Sequence, residues 1–250
     1  MSAEISVKNF DNSKKIADTA KKYLLLAEEQ RNENRHQDAV KNYLLSILMD
    51  KNNPVSYIGL ADAYKNLKNY KKALYYLKKA EVLQPDSAEI KRELSKICII
   101  TGDFCIGIKY LTDAIKLEPD NYDLQMQLAL VHEMIEEEDM ALMIYQKIIE
   151  NNPDYIRAYI QKATLYMHLE DYLNSAKMFK IVLKKSPDYF RAYLGLGISY
   201  DKLNNPLAAK RYYKKYLSSN QTVPNHINVN QRISNLQIKK QVVSKLRLVN

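Results

Sequence analysis

The feature that most constrains this chain is the regular spacing of one dipeptide. Pro85, Pro119, Pro153 and Pro187 are each followed by Asp, and the interval between successive prolines is the same each time. A fixed period of this length, about 34 residues, is typical of repeat proteins, in which one supersecondary unit cannot bury its apolar face until a neighbour stacks on it. The chain is therefore predicted to be an array of stacked units.

The residues between these prolines follow one pattern of side-chain size. In each copy of the repeat, positions 7, 11 and 24 hold mainly bulky residues, and positions 8 and 20 hold small ones. The clearest copy contains Tyr57, Leu60, Ala61, Tyr64, Ala73, Leu77, Ala80 and Pro85. Apolar spacings of three, four and seven predict helices with one buried stripe, and small residues let two helices approach closely. Each copy is thus predicted to form two helices.

A turn between the two helices is predicted near positions 14–17 of each copy. Asn34, Gly102 and Asn204 lie in this turn in three copies, and both residue types tolerate a left-handed backbone. Lys68 stands at the same place in another copy. The Pro-Asp pair then ends the second helix, and Asp or Asn favours the start of the next one.

Some copies depart from the pattern. Position 4 is Lys91 in the third copy and Gln125 in the fourth, and position 7 is Lys162 in the fifth. Lys51 stands where the first copy would have its proline. These residues predict local variation in helix packing around the third and fifth copies, within an otherwise regular array.

This period and pattern resemble those of the tetratricopeptide repeat (TPR) family. Six copies are identified, at residues 20–53, 54–87, 88–121, 122–155, 156–189 and 190–223. The resemblance implies an all-α fold: a right-handed α-solenoid superhelix of about six helix-turn-helix repeats, with the first helix of each pair lining a concave groove.

Two segments flank the repeats. Residues 1–19 are expected to extend the first helix, because Ile16 continues the face of Ala20 and Tyr23. Residues 224–250 are expected to form a capping helix, since an uncapped end would expose the core of the last repeat. Their apolar residues at helical spacing are Val229, Ile233, Leu236, Val243 and Leu246.

Composition narrows the classes of function. No apolar run approaches the roughly 18–20 residues that cross a bilayer, and no secretory signal is visible in residues 1–10. Cys98 and Cys105 are too few for a disulfide framework or a four-cysteine zinc site. No His-Glu-x-x-His or Ser-His-Asp set is present. We expect a cytoplasmic protein that is not an enzyme and holds no metal or cofactor.

The resemblance places a set of side chains on the concave groove. These are Arg92, Lys96, Met126, Gln127, Leu130, Met134, Arg157, Ile160, Gln161, Met167, Arg191, Leu194 and Ile198. One interpretation is a partly apolar peptide groove with a cationic rim, in which methionines adapt to varied side chains. The other is that these residues pack against neighbouring repeats or the last helix.

Some TPR proteins bind a carboxylate in a clamp of Lys, Asn and Arg residues on successive repeats. The nearest set here is Arg92, Lys96, Gln127, Arg157 and Gln161. Both asparagines of the clamp are absent, and Gln161 stands at its final cation. We expect a looser contact with anions at these residues. Glu89 and Glu93 stand beside Arg92 and Lys96 on the same predicted helix.

The C-terminal segment is strongly basic. Arg232, Lys239, Lys240, Lys245 and Arg247 contribute five of the positive charges, and residues 224–250 contain no acidic residue. The formal net charge of the whole chain is +9. A capping role and an attraction to nucleic acid or an anionic surface are compatible for such a helix.

Two functions follow as expectations. The first is a non-enzymatic adaptor or scaffold that binds a peptide or helix of a partner protein in the concave groove. The alternative is that the basic C-terminal helix binds nucleic acid or another anionic surface. Nucleic acid is the less favoured partner in comparison with a protein or peptide. The sequence specifies neither the partner's identity nor the oligomeric state.

Overall fold

The computed structural model describes residues 2–218 and 228–236, with side chains from residue 14 onward. All regular structure in this part is helical, and no strand occurs in it. The helices are α1 (Ser2–Asn32), α2 (His36–Met49), α3 (Pro54–Asn66), α4 (Tyr70–Leu83), α5 (Ala88–Thr101), α6 (Phe104–Leu117), α7 (Tyr122–Met134), α8 (Glu138–Asn151), α9 (Ile156–His168), α10 (Tyr172–Lys185), α11 (Phe190–Lys202), α12 (Pro206–Leu217) and α13 (residues 228–236). The predicted all-α repeat fold is confirmed.

The chain divides into two compact units, Met1–Val131 and His132–Asn250. In the first, α1 packs on α2, α3 on α4 and α5 on α6, and each pair contacts the next. In the second, α9 packs on α10 and α11 on α12, and α10 also contacts α11. Each unit is thus a stack of helical hairpins, as the repeat pattern predicts.

Helix starts keep the period of the sequence. The odd-numbered helices α3 to α11 begin at residues 54, 88, 122, 156 and 190, and the even-numbered helices α2 to α12 begin at 36, 70, 104, 138, 172 and 206. Side-chain oxygens fix several of these starts. Asn53 Oδ1 accepts a hydrogen bond from the Val55 amide at 3.0 Å, and Asn69 Oδ1 accepts one from the Lys72 amide at 3.2 Å. Both are N-caps, which satisfy amides that have no partner inside the helix.

The turn between paired helices uses one backbone motif throughout. A residue with positive φ, between 55° and 87°, recurs once in every repeat: Asn34, Lys68, Gly102, Glu136, Glu170 and Asn204. The amide of the residue after it donates to the carbonyl five residues earlier, for example Asn69 N to Tyr64 O at 2.8 Å. This is the Schellman closure of a helix C-terminus. The sequence predicts it at Asn34, Gly102 and Asn204, but not at Lys68, Glu136 or Glu170.

Packing between consecutive repeats pairs residue sizes. Gly59 of α3 and Gly195 of α11 occupy position 6 of their copies. A Cβ atom on Gly59 would overlap the ring of Tyr43, and one on Gly195 would overlap the ring of Phe179. Both rings stand at position 24 of the preceding copy. Where an aromatic ring of the second helix reaches the next first helix in this way, that helix has no room for a side chain.

Two polar residues at core positions of the pattern are accommodated by local hydrogen bonds. Lys162 is only 7% exposed, and its Nζ donates to Gln146 Oε1 at 2.6 Å. Burial lowers the pKa of Lys162. Gln125 is equally buried and donates from Nε2 to the carbonyl of Pro119 at 2.7 Å. The departures from the pattern therefore adjust packing without interrupting the array.

The last described helix covers the end of the second unit. Val229, Ile233 and Leu236 of α13 are buried together with Tyr213 and Tyr216 of α12. Arg232 of the same helix forms a bidentate ion pair with Asp201 of α11. This packing is what a capping helix requires. The remaining residues predicted for this segment lie outside the described residues. They are the cations Lys239, Lys240, Lys245 and Arg247 and the apolar Val243 and Leu246.

Replacing Lys68 by glycine tests the strain in the turns. We expect Lys68→Gly to raise the free energy of unfolding by about 0.5–1 kcal/mol, because glycine adopts positive φ without a steric penalty. The control is Lys79→Gly, at an exposed position inside α4, which should lower the free energy of unfolding by about 1 kcal/mol. Urea denaturation followed by circular dichroism measures both. Equal destabilisation by the two changes would contradict the turn geometry.

The size pairing of Gly195 with Phe179 is testable by a double-mutant cycle. Gly195→Ala should lower the free energy of unfolding by about 1–3 kcal/mol, because overlap with the ring outweighs the better helix propensity of alanine. Phe179→Leu should reduce this loss, because leucine at position 24 leaves room for a side chain at position 6 of the next copy. Leu77 and Leu111 stand at position 24 in two copies, and in both cases the next copy has a side chain at position 6. Urea denaturation of the two single variants and the double variant gives the coupling energy. Strict additivity would show that the two residues do not share this space.

Candidate functional site

The first unit contains a groove of about 270 Å³ on the face formed by its first helices. Its walls come from α1, α3 and α5, and its floor includes one residue of α4. The lining residues are Arg31, Ile58, Ala61, Asp62, Lys65, Leu77, Glu89, Glu93, Lys96 and Ile97. We call this the charged groove. It combines an apolar floor with three cationic and three acidic side chains.

The repeat register explains why these residues meet. Arg31 and Lys65 both stand at position 12 of their copies, and Asp62 and Lys96 both stand at position 9. Equivalent positions of stacked first helices lie side by side on one surface, so side chains from three successive copies converge. The groove is a direct consequence of the period.

An ion network connects α3 to α5 across the groove. Lys65 Nζ lies 2.5 Å from Asp62 Oδ1 and 3.3 Å from Glu93 Oε2. Lys96 Nζ lies 2.6 Å from Glu93 Oε1. The Glu93 side chain is only 14% exposed, so these charges interact with little screening by solvent.

Two arginines extend the network at its ends. Arg31 Nε lies 4.0 Å from Asp62, and Arg92 Nε lies 3.5 Å from Glu93. The Arg92 Nε atom is buried and makes no hydrogen bond. The connected groups are therefore four cations and two carboxylates, which leaves an excess of positive charge in the network.

The network shifts the pKa values of Glu93 and Lys65 in the directions that favour their charged forms. Burial by itself would raise the pKa of Glu93, but the hydrogen bond from Lys96 and the charges of Lys65, Lys96 and Arg92 hold that pKa below its ordinary value. Burial would lower the pKa of Lys65, but its bonds to Asp62 and Glu93 raise it. Glu93 and Lys65 are therefore both charged at neutral pH, and each stabilises the other.

The expected anion contact is changed by this arrangement. Arg92 and Lys96 are the first two cations of the set that resembles the carboxylate clamp, and both already interact with Glu93 of the same helix. The sequence places Glu93 beside Arg92 and Lys96, and the structure shows that it is nearly buried at the centre of the network. A signal was present in the register, because Glu93 stands at position 6 of its copy, the position of the expected groove residues Gln127 and Gln161 in the next two copies.

The remaining expected groove residues of the first unit differ in exposure. Met126 is 2% exposed and offers almost no surface to a ligand. Gln127 and Leu130, on the same helix, are both half-buried. At Met126 the structure favours packing over binding.

The residues expected to line the groove in the second unit form two groups. Ile160 and Met167 are half-buried against the core of α9, α10 and α11, and Leu194 and Ile198 are half-buried against the cluster that includes α13. The others retain more surface: Met134 is 59% exposed, Arg157 and Arg191 are exposed, and Gln161 is half-buried. The half-buried apolar members therefore contribute to packing, whereas Met134 and the three polar members remain candidates for contact with a ligand.

Other chemical groups form no second site in the described part of the chain. His132 is 8% exposed, and its Nδ1 lies 2.6 Å from Glu137 Oε2. Cys98 is buried and Cys105 is exposed, and both are free thiols. Within residues 2–218 and 228–236, no cluster of three His, Cys, Asp or Glu side chains could hold a metal ion. No described helix is both long and apolar enough to cross a membrane.

Family models for the tetratricopeptide repeat match the chain at residues 55–87 and 160–224.

Among solved structures, MamA is 27% identical with a TM-score of 0.57, and the match covers 64% of this chain and 94% of MamA. The C-terminal part of a TPR repeat-containing protein from Cytophaga hutchinsonii is 17% identical with a TM-score of 0.69, and the match covers 78% of both chains. YrrB, a TPR protein with an unusual peptide-binding site, is 19% identical with a TM-score of 0.57, and the match covers 76% of this chain and 96% of YrrB. No curated protein matches. The similarities to the Cytophaga hutchinsonii protein and to YrrB show the fold.

The nearly buried carboxylate of Glu93 gives a pH-dependent prediction. We expect Glu93→Gln to lower the free energy of unfolding by about 1–3 kcal/mol at neutral pH, because it removes the carboxylate that pairs with Arg92 and Lys96 and leaves Lys65 with Asp62 alone. The folded state lowers the pKa of Glu93, so its contribution is present above the pKa of the unfolded state, 4.5, and is lost as the pH falls through the lower value of the folded state. Urea denaturation at several pH values measures the difference.

The control for Glu93→Gln is Glu89→Gln, in the same groove but exposed. This change should alter the free energy of unfolding by less than about 0.5 kcal/mol. If the loss caused by Glu93→Gln were the same at about pH 3 as at neutral pH, the side chain's shape, and not its charge, would be responsible.

Proposed function

We propose, from the premise that this chain is a tetratricopeptide repeat protein, that it is a non-enzymatic scaffold which binds an extended peptide or a helix of a partner protein. The charged groove of the first unit is the observation that carries this proposal. It is concave, it has an apolar floor, and its polar groups come from three successive repeats. These are the general properties of sites that bind peptides and small ligands.

The chemistry of the charged groove favours a ligand with both apolar and acidic groups. Ile58 is half-buried and offers apolar contact, and the network around Glu93 holds more cations than carboxylates. A carboxylate of the ligand could accept hydrogen bonds from Lys96 and Arg31 at the exposed side of the network. YrrB, whose fold is similar, is described as a peptide-binding TPR protein, which is consistent with this use of the fold.

A reaction is not part of the proposal, because Asp62 and Glu93 of the charged groove are engaged with its cations. Asp62 and Glu93 accept from Lys65, and Glu93 also accepts from Lys96. Groups held in this way position and attract a ligand. A general base or a nucleophile would instead need to reach the bond that reacts. We propose a cytoplasmic location from the two free cysteines, since reducing compartments keep thiols free.

Four residues of the second unit are proposed as additional contacts. Met134, Arg157, Gln161 and Arg191 keep surface that a longer partner segment could use. The alternative function, binding to nucleic acid or another anionic surface through the C-terminal helix, gains no support from the one described cation, because Arg232 pairs with Asp201.

Peptides displayed on phage and selected on the wild-type chain provide a direct test. We expect Lys96→Glu to weaken binding of the selected peptides by at least about tenfold, because it reverses a charge on the wall of the charged groove. Lys109→Glu is the matched control, at an exposed lysine of α6 that does not line the groove. Fluorescence anisotropy with synthetic copies of the peptides gives the Kd values.

The comparison separates two results. A loss confined to Lys96→Glu supports the charged groove as the binding site. Equal affinities for the wild type and both variants would place peptide binding elsewhere, and the same measurement on Arg157→Glu and Arg191→Glu would then test the second unit. Circular dichroism of each variant confirms that the helices remain folded.

A further inference from the structure

The outward faces of α10 and α12 carry the same arrangement of side chains, one repeat apart. Leu173, Lys177, Lys180 and Lys184 recur along α10 at spacings of four, three and four, which places them on one side of the helix. Leu207, Arg211 and Lys214 repeat the arrangement on α12. All seven side chains are exposed. We call them the basic face.

The opposite sides of both helices are buried, so the basic face points away from the core. Phe179 and Val182 of α10 pack into the core of α9 to α11. Tyr213 and Tyr216 of α12 pack against α13. The basic face is therefore a surface that packing within the second unit does not use.

All charged residues of these two helices are positive. Each contains four Lys or Arg residues and no Asp or Glu. The equivalent positions of α8 hold Asp139, Met143, Gln146 and Glu150, so this charge is not a general property of the array. The basic face is a local feature of the last two repeats.

The five cations of the basic face have no carboxylate within 4 Å among the described residues. Lys177 Nζ donates to Asn174 Oδ1 at 3.1 Å, and Lys180 Nζ lies 5.4 Å from the ring centre of Tyr200. Lys185, on the edge of α10, does pair with an acid, Asp154, at 2.7 Å and is not part of the face. Unpaired cations this close together repel one another, and an anionic partner would remove that repulsion.

Ring contacts join the two helices into one continuous surface. Tyr200 of α11 lies under Lys180 of α10 and stacks on Tyr212 of α12, with ring centres 5.5 Å apart. Tyr212 is next to Arg211 in the chain. Lys180 of α10 and Tyr212 of α12 therefore contact the same ring, that of Tyr200.

The two leucines of the basic face lie at the start of the two helices, with further exposed leucines nearby. Leu173 is 57% exposed and Leu207 is 64% exposed. Leu169 and Leu203, in the turns just before these helices, are 42% and 40% exposed. The nearby Asp171 is already hydrogen-bonded to Asn174. Cations beside exposed aliphatic side chains match the boundary between lipid headgroups and acyl chains.

We propose that the basic face binds the surface of a membrane rich in anionic phospholipid, with Leu173 and Leu207 entering the headgroup region. This inference goes beyond the scaffold function, since it assigns a second surface with a different partner. The leucines favour a membrane over nucleic acid, because single-stranded nucleic acid is bound on free aromatic rings, and Tyr200 and Tyr212 already stack on each other.

Co-sedimentation of the whole chain with vesicles tests this proposal. The wild type should bind phosphatidylcholine vesicles that contain on the order of 30% phosphatidylserine far more tightly than pure phosphatidylcholine vesicles, and added salt should weaken the binding. Replacing Lys177, Lys180, Lys184, Arg211 and Lys214 by Gln should weaken it by about a hundredfold or more, because each cation near such a surface contributes about fivefold. Leu173→Gln with Leu207→Gln should weaken it by about tenfold.

The matched control removes five exposed lysines elsewhere: Lys21, Lys22, Lys71, Lys109 and Lys147. It has the same net charge as the first variant and should retain most of the binding. Equal loss in the control would show attraction by net charge alone and overturn the proposal, as would equal binding of the wild type to both kinds of vesicle. Binding to an oligonucleotide that depends on the five cations but not on the two leucines would assign the face to nucleic acid instead. Circular dichroism confirms that each variant is folded.

Discussion

The contact between the second helix of one repeat and the first helix of the next controls most of this structure. It is made by the residue at position 24 of one copy and the residue at position 6 of the following copy. When position 24 is the ring of Tyr43 or Phe179, position 6 is glycine. When it is Leu77, position 6 is Glu93, and both side chains line the charged groove. In these three pairs, the size of the side chain at position 24 matches the space that is left for a side chain at position 6.

The two charged surfaces of the chain follow opposite principles. In the charged groove, Glu93 is nearly buried and three cations surround it, so the network is largely satisfied within the first unit. The five cations of the basic face are exposed, and no carboxylate among the described residues lies within ion-pair distance of them. A satisfied network stabilises the fold and selects ligands by geometry. An exposed surface of one sign acts over longer distances and depends on salt.

The turns and the site show where sequence reasoning reached its limit. The left-handed residue of each turn could be predicted at Asn34 and Gly102, whose side chains allow it, but Lys68 and Glu136 adopt the same backbone. There the hydrogen bonds of the helix end require a left-handed residue whatever its side chain. In the site, the sequence places Lys96 on the groove with Glu93 beside it, but it does not show that Glu93 is nearly buried against α3. Charge type is visible in the sequence, whereas burial depends on the neighbouring repeat.

The sequence by itself determined the period, the helix starts and the all-α repeat fold, because buried stripes and small residues at fixed intervals leave stacked hairpins as the way to bury the apolar side chains. Only the tertiary structure decided which residues meet across repeats. Lys65 and Glu93 belong to different repeats, and their contact exists because α3 and α5 stack side by side. The burial of Met126 and the continuity of Lys180 with Tyr212 through Tyr200 depend on the same stacking. Such contacts depend on distances between helices, which a one-dimensional pattern does not contain.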